Sequence, residues 1–242
     1  QEVFGYDGIV SQMESDLGDD PVVDGDFGGP LPPGRYILVA FGKSRGESGL
    51  VPVTITEGQT TKAHLLLPQE GRVEYVVLDE GGYRVPARLS FVSLDQEGNP
   101  LPWDGKNRVE LGGARYDHGI YATEHSPDGA GVIDLPQGDY AVYVSRGFEY
   151  SVDHIEPFTV HGGETQTLEA YVVREVDTTG YIAGDFHVHC QPSIDSSLPL
   201  DDRVKAAAAE GLEFITSTDH DYLTDYRPSI NKMDLQSFLV GA

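Results

Sequence analysis

Apolar and polar residues alternate along much of residues 31–173, and this period of two predicts short, half-buried β-strands. In the stretch "LPQGDYAVYVSRG", which begins at Leu135, the side chains of Tyr140, Val142 and Val144 share one face of the predicted strand. Frequent glycine and proline between such stretches favour tight turns over long helices. The pattern therefore predicts a mostly β fold.

The alternating pattern occurs twice, in an internal repeat. Residues 31–68 read "LPPGRYILVAFG" and then "VPVTITEGQTTKAHLLLP", while residues 135–173 contain "LPQGDYAVYVSRG" and then "EPFTVHGGETQTLEAYVV". Each copy has Leu-Pro-x-Gly-x-Tyr, a strand, a threonine-rich strand, a glycine turn and a further strand. We expect hairpins at Gly58 and at Gly162–Gly163, and one or two antiparallel β-sandwich units of immunoglobulin-like type.

The second copy is preceded by a further β-rich segment that the first copy lacks. Residues 71–95 predict two strands around the turn formed by Glu80, Gly81 and Gly82. Residues 96–130 are polar and rich in glycine, and we predict an elaborated loop there. The predicted domains are a partial β-sandwich unit over residues 1–70 and a complete unit over residues 71–178.

The pattern changes after Val173 to strand, helix and strand. Residues 198–211 predict a helix, with Pro199 near its start, two aspartates in its first turn and Gly211 as its stop. The flanking stretches "YIAGDFHVHC" and "LEFITSTDH" predict strands. A βαβ unit requires parallel strands, so residues 179–242 are predicted to begin an α/β domain.

Charge and cysteine content restrict the function classes. The formal net charge of −24 repels phosphate backbones, so nucleic acid is an unfavourable partner. A single cysteine excludes an intrachain disulfide, which fits a reducing compartment or an exported bacterial domain. No apolar run approaches the roughly 20 residues of a membrane span. We expect an extracytoplasmic location, either periplasmic or secreted.

Three polar side chains are expected on one face of the strand "GDFHVHC". Strand alternation places Asp185, His187 and His189 together, with Phe186 and Val188 on the opposite face against the helix. Two neighbouring imidazoles can bind one cation, and the carboxyl ends of adjacent parallel strands converge. The sequence therefore predicts a metal site that also includes His220, which follows the next strand.

The stretches "GDFHVH" and "STDHDY" together resemble the opening motifs of the polymerase and histidinol phosphatase (PHP) superfamily of metal-dependent hydrolases. The sequence "VDTTGYIAGDFHVH", which follows a predicted β-sandwich, resembles the carbaryl-hydrolase-like (CehA/McbA) branch of that superfamily. The resemblance covers about residues 178–242. The repeated β-units are similar to carboxypeptidase-regulatory-like domains.

This resemblance implies a distorted β/α barrel that holds up to three zinc, manganese or iron ions. It implies that His187, His189, Asp195 and His220 are metal ligands and that Asp219 supports the ligands without binding metal directly. Asp185 shares a strand face with the two histidines, and we expect its carboxylate to orient one imidazole at the catalytic site. The implied activity is hydrolysis of phosphoester, ester or carbamate bonds in small molecules by a metal-bound hydroxide. Buried packing, rather than ligation, is expected for Cys190.

The same resemblance implies further ligands beyond Ala242, so we expect the natural chain to continue past the strand at residues 235–242. On its own, residues 1–242 would then bind metal weakly or partially and would lack activity. The exposed edge of an incomplete barrel would also allow self-association.

An alternative interpretation is a non-enzymatic exported module that binds glycans or proteins through its β-sandwich units and carries a vestigial PHP segment. Trp103, Tyr83 and Tyr116 would form an aromatic face for stacking against sugars, although such residues also occur in sandwich cores.

Overall fold

The structure is a computed structural model that describes residues 29–42, 44–101 and 120–241. The first strands are β1 (Gly34–Leu38), β2 (Phe41–Gly42), β3 (Gly46–Glu47) and β4 (Val51–Ile55). The middle strands are β5 (Gly71–Leu78), β6 (Ala87–Leu94), β7 (Ile120–Ser126), β8 (Ala130–Leu135), β9 (Gly138–Ser145), β10 (Asp153–Val160) and β11 (Thr165–Tyr171). The last elements are β12 (Gly184–Val188), α1 (Leu200–Ala209), β13 (Phe214–Ser217), α2 (Arg227–Lys232) and β14 (Val240–Gly241).

The chain forms two compact units, one built on β1 and β4 and the other on β5 to β14. In the first unit, β1 and β4 pair antiparallel, with Gly34 opposite Ile55 and Tyr36 opposite Val53. Alternate side chains of both strands are partly buried and the others are exposed, as the sequence alternation predicts. The hydroxyl of Tyr36 donates a hydrogen bond to the carbonyl of Pro32 at 2.9 Å.

The second unit contains a β-sandwich, so the prediction of a mostly β fold with such a unit is confirmed. One sheet has the strand order β10-β9-β6-β7 and the other has the order β11-β5-β8. Both sheets contribute to one core, which includes Val73 and Val77 from one sheet and Phe91, Val142 and Val144 from the other. Each of these five side chains is fully buried, which stabilises the sandwich by removing apolar surface from water.

The connections of the sandwich differ from the predicted hairpins. Strands β10 and β11, on either side of Gly162–Gly163, lie in different sheets, and so do β5 and β6. Strand β11 pairs parallel with β5, from Thr165 opposite Arg72 to Tyr171 opposite Leu78. The prediction of a hairpin at Gly162–Gly163 was wrong because this turn carries the chain from one sheet to the other. The two-residue period along a strand shows which side chains share a face, but not which strands pair.

The predicted loop over residues 96–130 contains a strand. Strand β7 pairs antiparallel with β6, and Ala87 lies opposite Ser126. Residues 102–119 lie outside the described ranges, and with them Trp103 and Tyr116 of the predicted aromatic face. Of that set only Tyr83 is described, and its side chain is exposed.

The βαβ prediction agrees with the structure after residue 183. Strands β12, β13 and β14 form a parallel sheet in that order, and α1 connects the first two. Helix α1 covers one face, where Val188, Val204 and Ile215 are buried. In the described part of the chain this sheet is open and does not form the barrel that the resemblance implies. The side chain of Phe186 is 68% exposed, contrary to its predicted burial, because the pairing of β12 with β13 is irregular between Asp185 and Val188.

A buried arginine joins helix α1 to the sandwich. The Nη1 group of Arg146 donates to the carbonyl of Pro86 at 2.6 Å and to that of Ala208 at 2.9 Å. Ala208 lies in the last turn of α1, at the negative end of the helix dipole, which favours a cation; its carbonyl also accepts the backbone N–H of Gly211 at 3.1 Å. Gly147 follows with φ of +68°, and a Cβ atom there would lie 2.1 Å from the carbonyl oxygen of Glu210. The helix end therefore packs directly on the chain that leaves β9.

Neither helix of the described ranges has the length and apolar character needed to cross a bilayer.

We expect the substitution Arg146→Met to lower the free energy of unfolding by about 2–4 kcal/mol, because two buried carbonyl groups would lose a charged donor. The measurement is urea unfolding followed by fluorescence. The matched control is Arg84→Ala, whose ion pair with Asp128 spans 3.8 Å at the surface and is expected to change stability by less than about 0.5 kcal/mol. Equal effects of the two substitutions would contradict this role of Arg146.

Candidate metal centre

Three candidate ligands converge beyond the carboxyl ends of β12 and β13. The Nδ1 atom of His189 lies 3.0 Å from Oδ1 of Asp195, and Nε2 of His220 lies 3.3 Å from Oδ2 of the same carboxylate. Ligand atoms of all three residues lie within 4.8 Å of one another. Parallel pairing of the two strands brings His189 and His220 together although they are distant in sequence.

Ser193 organises this cluster. Its hydroxyl donates to Oδ1 of Asp195 at 2.6 Å, accepts from the backbone N–H of His220 at 3.0 Å, and lies 3.2 Å from Nδ1 of His189. The Ser193 hydrogen bond and then the neighbouring His189 lower the pKa of Asp195 to about 2. The carboxylate is therefore ionised at any physiological pH and is available as an anionic ligand.

The other predicted ligand, His187, lies beside the cluster. Its ring centroid is 5.0 Å from that of His189, with the ring planes tilted by 43°. The side chain is exposed, and its nitrogen atoms are not part of the three-residue group. The alternation of β12 placed His187 near the site, and the irregular pairing after Asp185 determines its distance from the other ligands.

Asp185 has a local structural contact. Its Oδ1 atom accepts a hydrogen bond from the backbone N–H of His187 at 3.0 Å. This contact shapes the irregular part of β12. The expected support of an imidazole ring by Asp185 stays a prediction.

Asp219 is buried beneath the cluster and ties the two strand ends together. Its Oδ1 atom accepts from the backbone N–H of Cys190 at 2.7 Å, and its Oδ2 atom accepts from the hydroxyl groups of Ser217, at 3.0 Å, and Thr224. Burial alone would raise the pKa of Asp219, but the hydrogen bonds from Thr224 and Cys190 lower it overall. The carboxylate therefore acts as an ionised acceptor inside the protein.

Cys190 is fully buried, as expected, and its thiol donates to Oδ2 of Asp219 at 3.2 Å. The hydroxyl of Tyr226 in turn donates to the sulfur at 3.5 Å. Burial is the main cause that raises the pKa of the thiol, with the nearby Asp219 adding to it. The cysteine therefore packs behind the strand and is not one of the clustered ligands.

One cavity lies at the other end of the parallel sheet. It has a volume of about 350 Å³ and is lined by residues that include Ile182, Phe214, Phe238 and Leu239. Phe214 is the first residue of β13, whereas His220 follows its last residue. The cavity is therefore separate from the candidate metal centre.

The donor set suits a borderline divalent cation. Bond lengths of about 2.1 Å in a tetrahedral zinc site place neighbouring ligand atoms about 3.4 Å apart. Oδ1 of Asp195 lies 3.0 Å from Nδ1 of His189, and its other oxygen, Oδ2, lies 3.3 Å from Nε2 of His220, so each separation is close to that spacing. Two imidazoles and one carboxylate leave one tetrahedral position open. Sequence reasoning missed Ser193, whose only signal is its position two residues before Asp195.

Comparisons with known proteins identify no family for this chain. No family model matches it, and no curated protein matches it. Among solved structures it is similar to a streptococcal ancillary pilin, at 13% identity and a TM-score of 0.33, over 60% of this chain and 46% of the pilin. BcpA, the major pilin subunit of Bacillus cereus, matches at 15% identity and a TM-score of 0.31, over 60% and 41%. The pilus 2b backbone protein of group B streptococcus matches at 15% and 0.31, over 61% and 52%.

These findings correct the expectation of a PHP-superfamily hydrolase of the CehA/McbA branch. The matched structures are mostly pilin subunits, and none of the comparisons supports a hydrolase or an ester substrate. The motifs "HVH" and "TDH" are too short to identify a family without further matching sequence. The chain spans only about half the length of these three pilins, at 46%, 41% and 52%. At TM-scores near 0.3 the roles of those pilins are not carried over to this chain.

We expect Asp219→Asn to lower the free energy of unfolding by about 1–3 kcal/mol at pH 7, because an amide group would face hydrogen-bond donors. The lowered pKa of Asp219 means that its contribution is complete above its unfolded pKa of about 3.9 and is lost as the pH falls through the folded pKa. The variant should therefore lose less stability than the wild type as the pH falls from about 5 through the lowered folded pKa of Asp219.

The measurement is urea unfolding at several pH values. The control is Asp221→Asn, since Asp221 is exposed and its φ of 55° is tolerated by asparagine. An unchanged pH profile in the Asp219 variant would refute its role as an ionised buried acceptor.

Proposed function

We propose that this chain is a non-enzymatic, extracytoplasmic β-sandwich module that binds partner molecules and carries one divalent-metal site. The ligands of that site are His189, Asp195 and His220, and zinc is the metal that their chemistry fits best. The observation that carries the proposal is the convergence of three ligand atoms within 4.8 Å at the ends of two parallel strands.

The metal has a structural role in this proposal. His189 and Asp195 lie in the segment after β12, and His220 lies in the segment after β13, so one ion would cross-link the two. The hydroxyl of Ser193 already touches all three ligand residues and holds them in place without the ion. A bound cation would replace contacts between imidazole and carboxylate by stronger metal–ligand bonds.

The remaining carboxylates support a non-enzymatic site. Both oxygen atoms of Asp219 accept hydrogen bonds from groups that hold the strand ends, and Asp185 binds a backbone N–H. Neither carboxylate is part of the clustered ligand group. A general acid or base must reach the reacting group through a free oxygen, and both oxygen atoms of Asp219 are engaged by hydrogen bonds inside the protein.

The surface charge and the cysteine content support the extracytoplasmic location. The net charge of −24 favours solubility and repels nucleic acid, which suits an exported module. The single thiol of Cys190 is buried, so an oxidising compartment would leave it unmodified.

We expect the purified protein, stripped of metal by a chelator, to bind one zinc ion per chain. His189→Ala and His220→Ala should each weaken zinc binding by at least about 100-fold, because loss of a residue that merely orients a ligand already costs 10–100-fold. Ser193→Ala should weaken zinc binding by about 10–100-fold, because Ser193 orients the ligands without binding the metal. The measurement is isothermal titration with zinc chloride.

The control is His161→Ala, since His161 is exposed in the turn between β10 and β11 and should leave the affinity unchanged. Zinc binding that is insensitive to all three ligand-site substitutions would reject the site.

We further expect the zinc-loaded protein to hydrolyse p-nitrophenyl phosphate and p-nitrophenyl acetate no faster than the His189→Ala variant. Turnover that depends on His189 and on zinc would reject the non-enzymatic role while leaving the metal site in place.

A further inference from the structure

The two sequence repeats have the same local structure. In the second copy Gly138 lies opposite Val160 and Tyr140 lies opposite Phe158, which matches the pairing of Gly34 with Ile55 and Tyr36 with Val53 in the first copy. The hydroxyl of Tyr140 donates to the carbonyl of Pro136, just as that of Tyr36 donates to Pro32. The repeat is therefore a structural unit and not only a similarity of sequence.

The equivalence continues through the turn that follows. Gly58 and Gly163 both have a left-handed backbone, with φ of 71° and 77°. The side chain of Thr61 donates to the carbonyl of Thr54 at 3.0 Å, and that of Gln166 donates to the carbonyl of Thr159 at 2.5 Å. Residues 60–67 of the first copy thus correspond to residues 165–172 of the second.

The two copies differ in what pairs with this segment. In the second copy it forms β11, which pairs parallel with β5, and Leu168, Ala170 and Val172 are 7%, 0% and 0% exposed. In the first copy the corresponding residues 60–67 form no strand and pair with no strand of the described ranges. Their inward side chains, Ala63 and Leu65, are only partly buried.

Residues 60–67 nevertheless keep the alternation of partly buried and exposed side chains that is typical of a strand within a sheet. Ala63, Leu65 and Leu67 are partly buried, while His64 and Leu66 between them are exposed, with Leu66 at 86%. An extended apolar segment with unpaired main-chain groups is a template for another strand. Within the described ranges the first repeat thus has the β1–β4 pair of the sandwich but no equivalent of the pairing between β11 and β5.

Charge complementarity indicates which strand fits. In the second copy Thr167 lies opposite Glu74 of β5. Thr167 corresponds to Lys62 in the first copy, so a strand like β5 in the same register would place a carboxylate opposite Lys62. Opposite charges on facing positions of neighbouring strands stabilise the pairing.

We propose that residues 60–67 bind an extended strand donated by a partner protein, parallel to them, with alternating apolar residues and a carboxylate opposite Lys62. This inference identifies a partner class for the module and does not depend on the metal site. The main-chain hydrogen bonds of such strand addition give affinity, and the alternate side chains give specificity.

The test uses the full chain and a fluorescent peptide with the sequence of residues 70–79, "EGRVEYVVLD". We expect saturable binding by fluorescence anisotropy and new protection from hydrogen exchange at residues 60–67. Lack of binding, or protection at residues 165–171 in its place, would overturn the proposal.

Two matched variants test which face of residues 60–67 binds the peptide. Leu65→Asp should abolish binding of the peptide, because Leu65 points inward, whereas Leu66→Asp should not change it. Hydrogen exchange in β1 and β4 confirms that the Leu65 variant is folded. Equal effects of Leu65→Asp and Leu66→Asp would contradict the proposal.

A charge exchange provides a second, milder test. Lys62→Glu should weaken binding of the peptide roughly twofold to fivefold, as expected for a facing charge pair. A peptide that carries Glu74→Lys should bind the Lys62→Glu protein more tightly than it binds the wild-type protein. No change with either substitution would overturn the proposed register. Concentration-dependent dimers that the peptide dissociates would assign the edge to a second copy of the chain instead.

Discussion

The buried carboxylate of Asp219 is the contact on which the candidate metal centre depends. It lies one residue before His220 and accepts the backbone N–H of Cys190, one residue after His189. Parallel strands have no hairpin to hold their ends together, so this side chain performs that task between β12 and β13. The hydroxyl of Ser193 then sets the positions of the ligands above it. A structural aspartate and a serine thus turn two separate histidines into one potential site.

The sandwich depends on a different constraint, the need of each sheet to cover its apolar face. In the second repeat the sheet that contains β9 and β10 is covered by β11-β5-β8, and the residues of the shared core are buried. In the first repeat β1 and β4 keep the same register, but no second sheet covers them within the described ranges, and their inward residues are only partly buried. Arg146 extends the second unit further, because it joins the last turn of α1 to the end of β9.

Much of the local structure could be predicted from the sequence, because periodicity reports which side chains share a face. The strand that holds Tyr140, Val142 and Val144, the helix over residues 200–209 and the convergence of His189 with His220 all follow from it. The failures concern pairing: Phe186 is exposed where β12 departs from regular pairing, and the turn at Gly162–Gly163 crosses between sheets. The assignment to the PHP superfamily also failed, because two short motifs do not define a family.

The sequence by itself determined the alternating strands, the repeat, the single helix between parallel strands and the residue types of the ligand cluster. These features are local, since they depend on the order of side chains along one segment. Only the tertiary structure decided which strands share a sheet, which histidine stands outside the cluster, and that the segment after Gly58 pairs with no strand of the described ranges, whereas β11 pairs with β5. Such outcomes depend on contacts between residues far apart in the chain, and hydrophobic periodicity carries no information about which distant segment fills each neighbouring position.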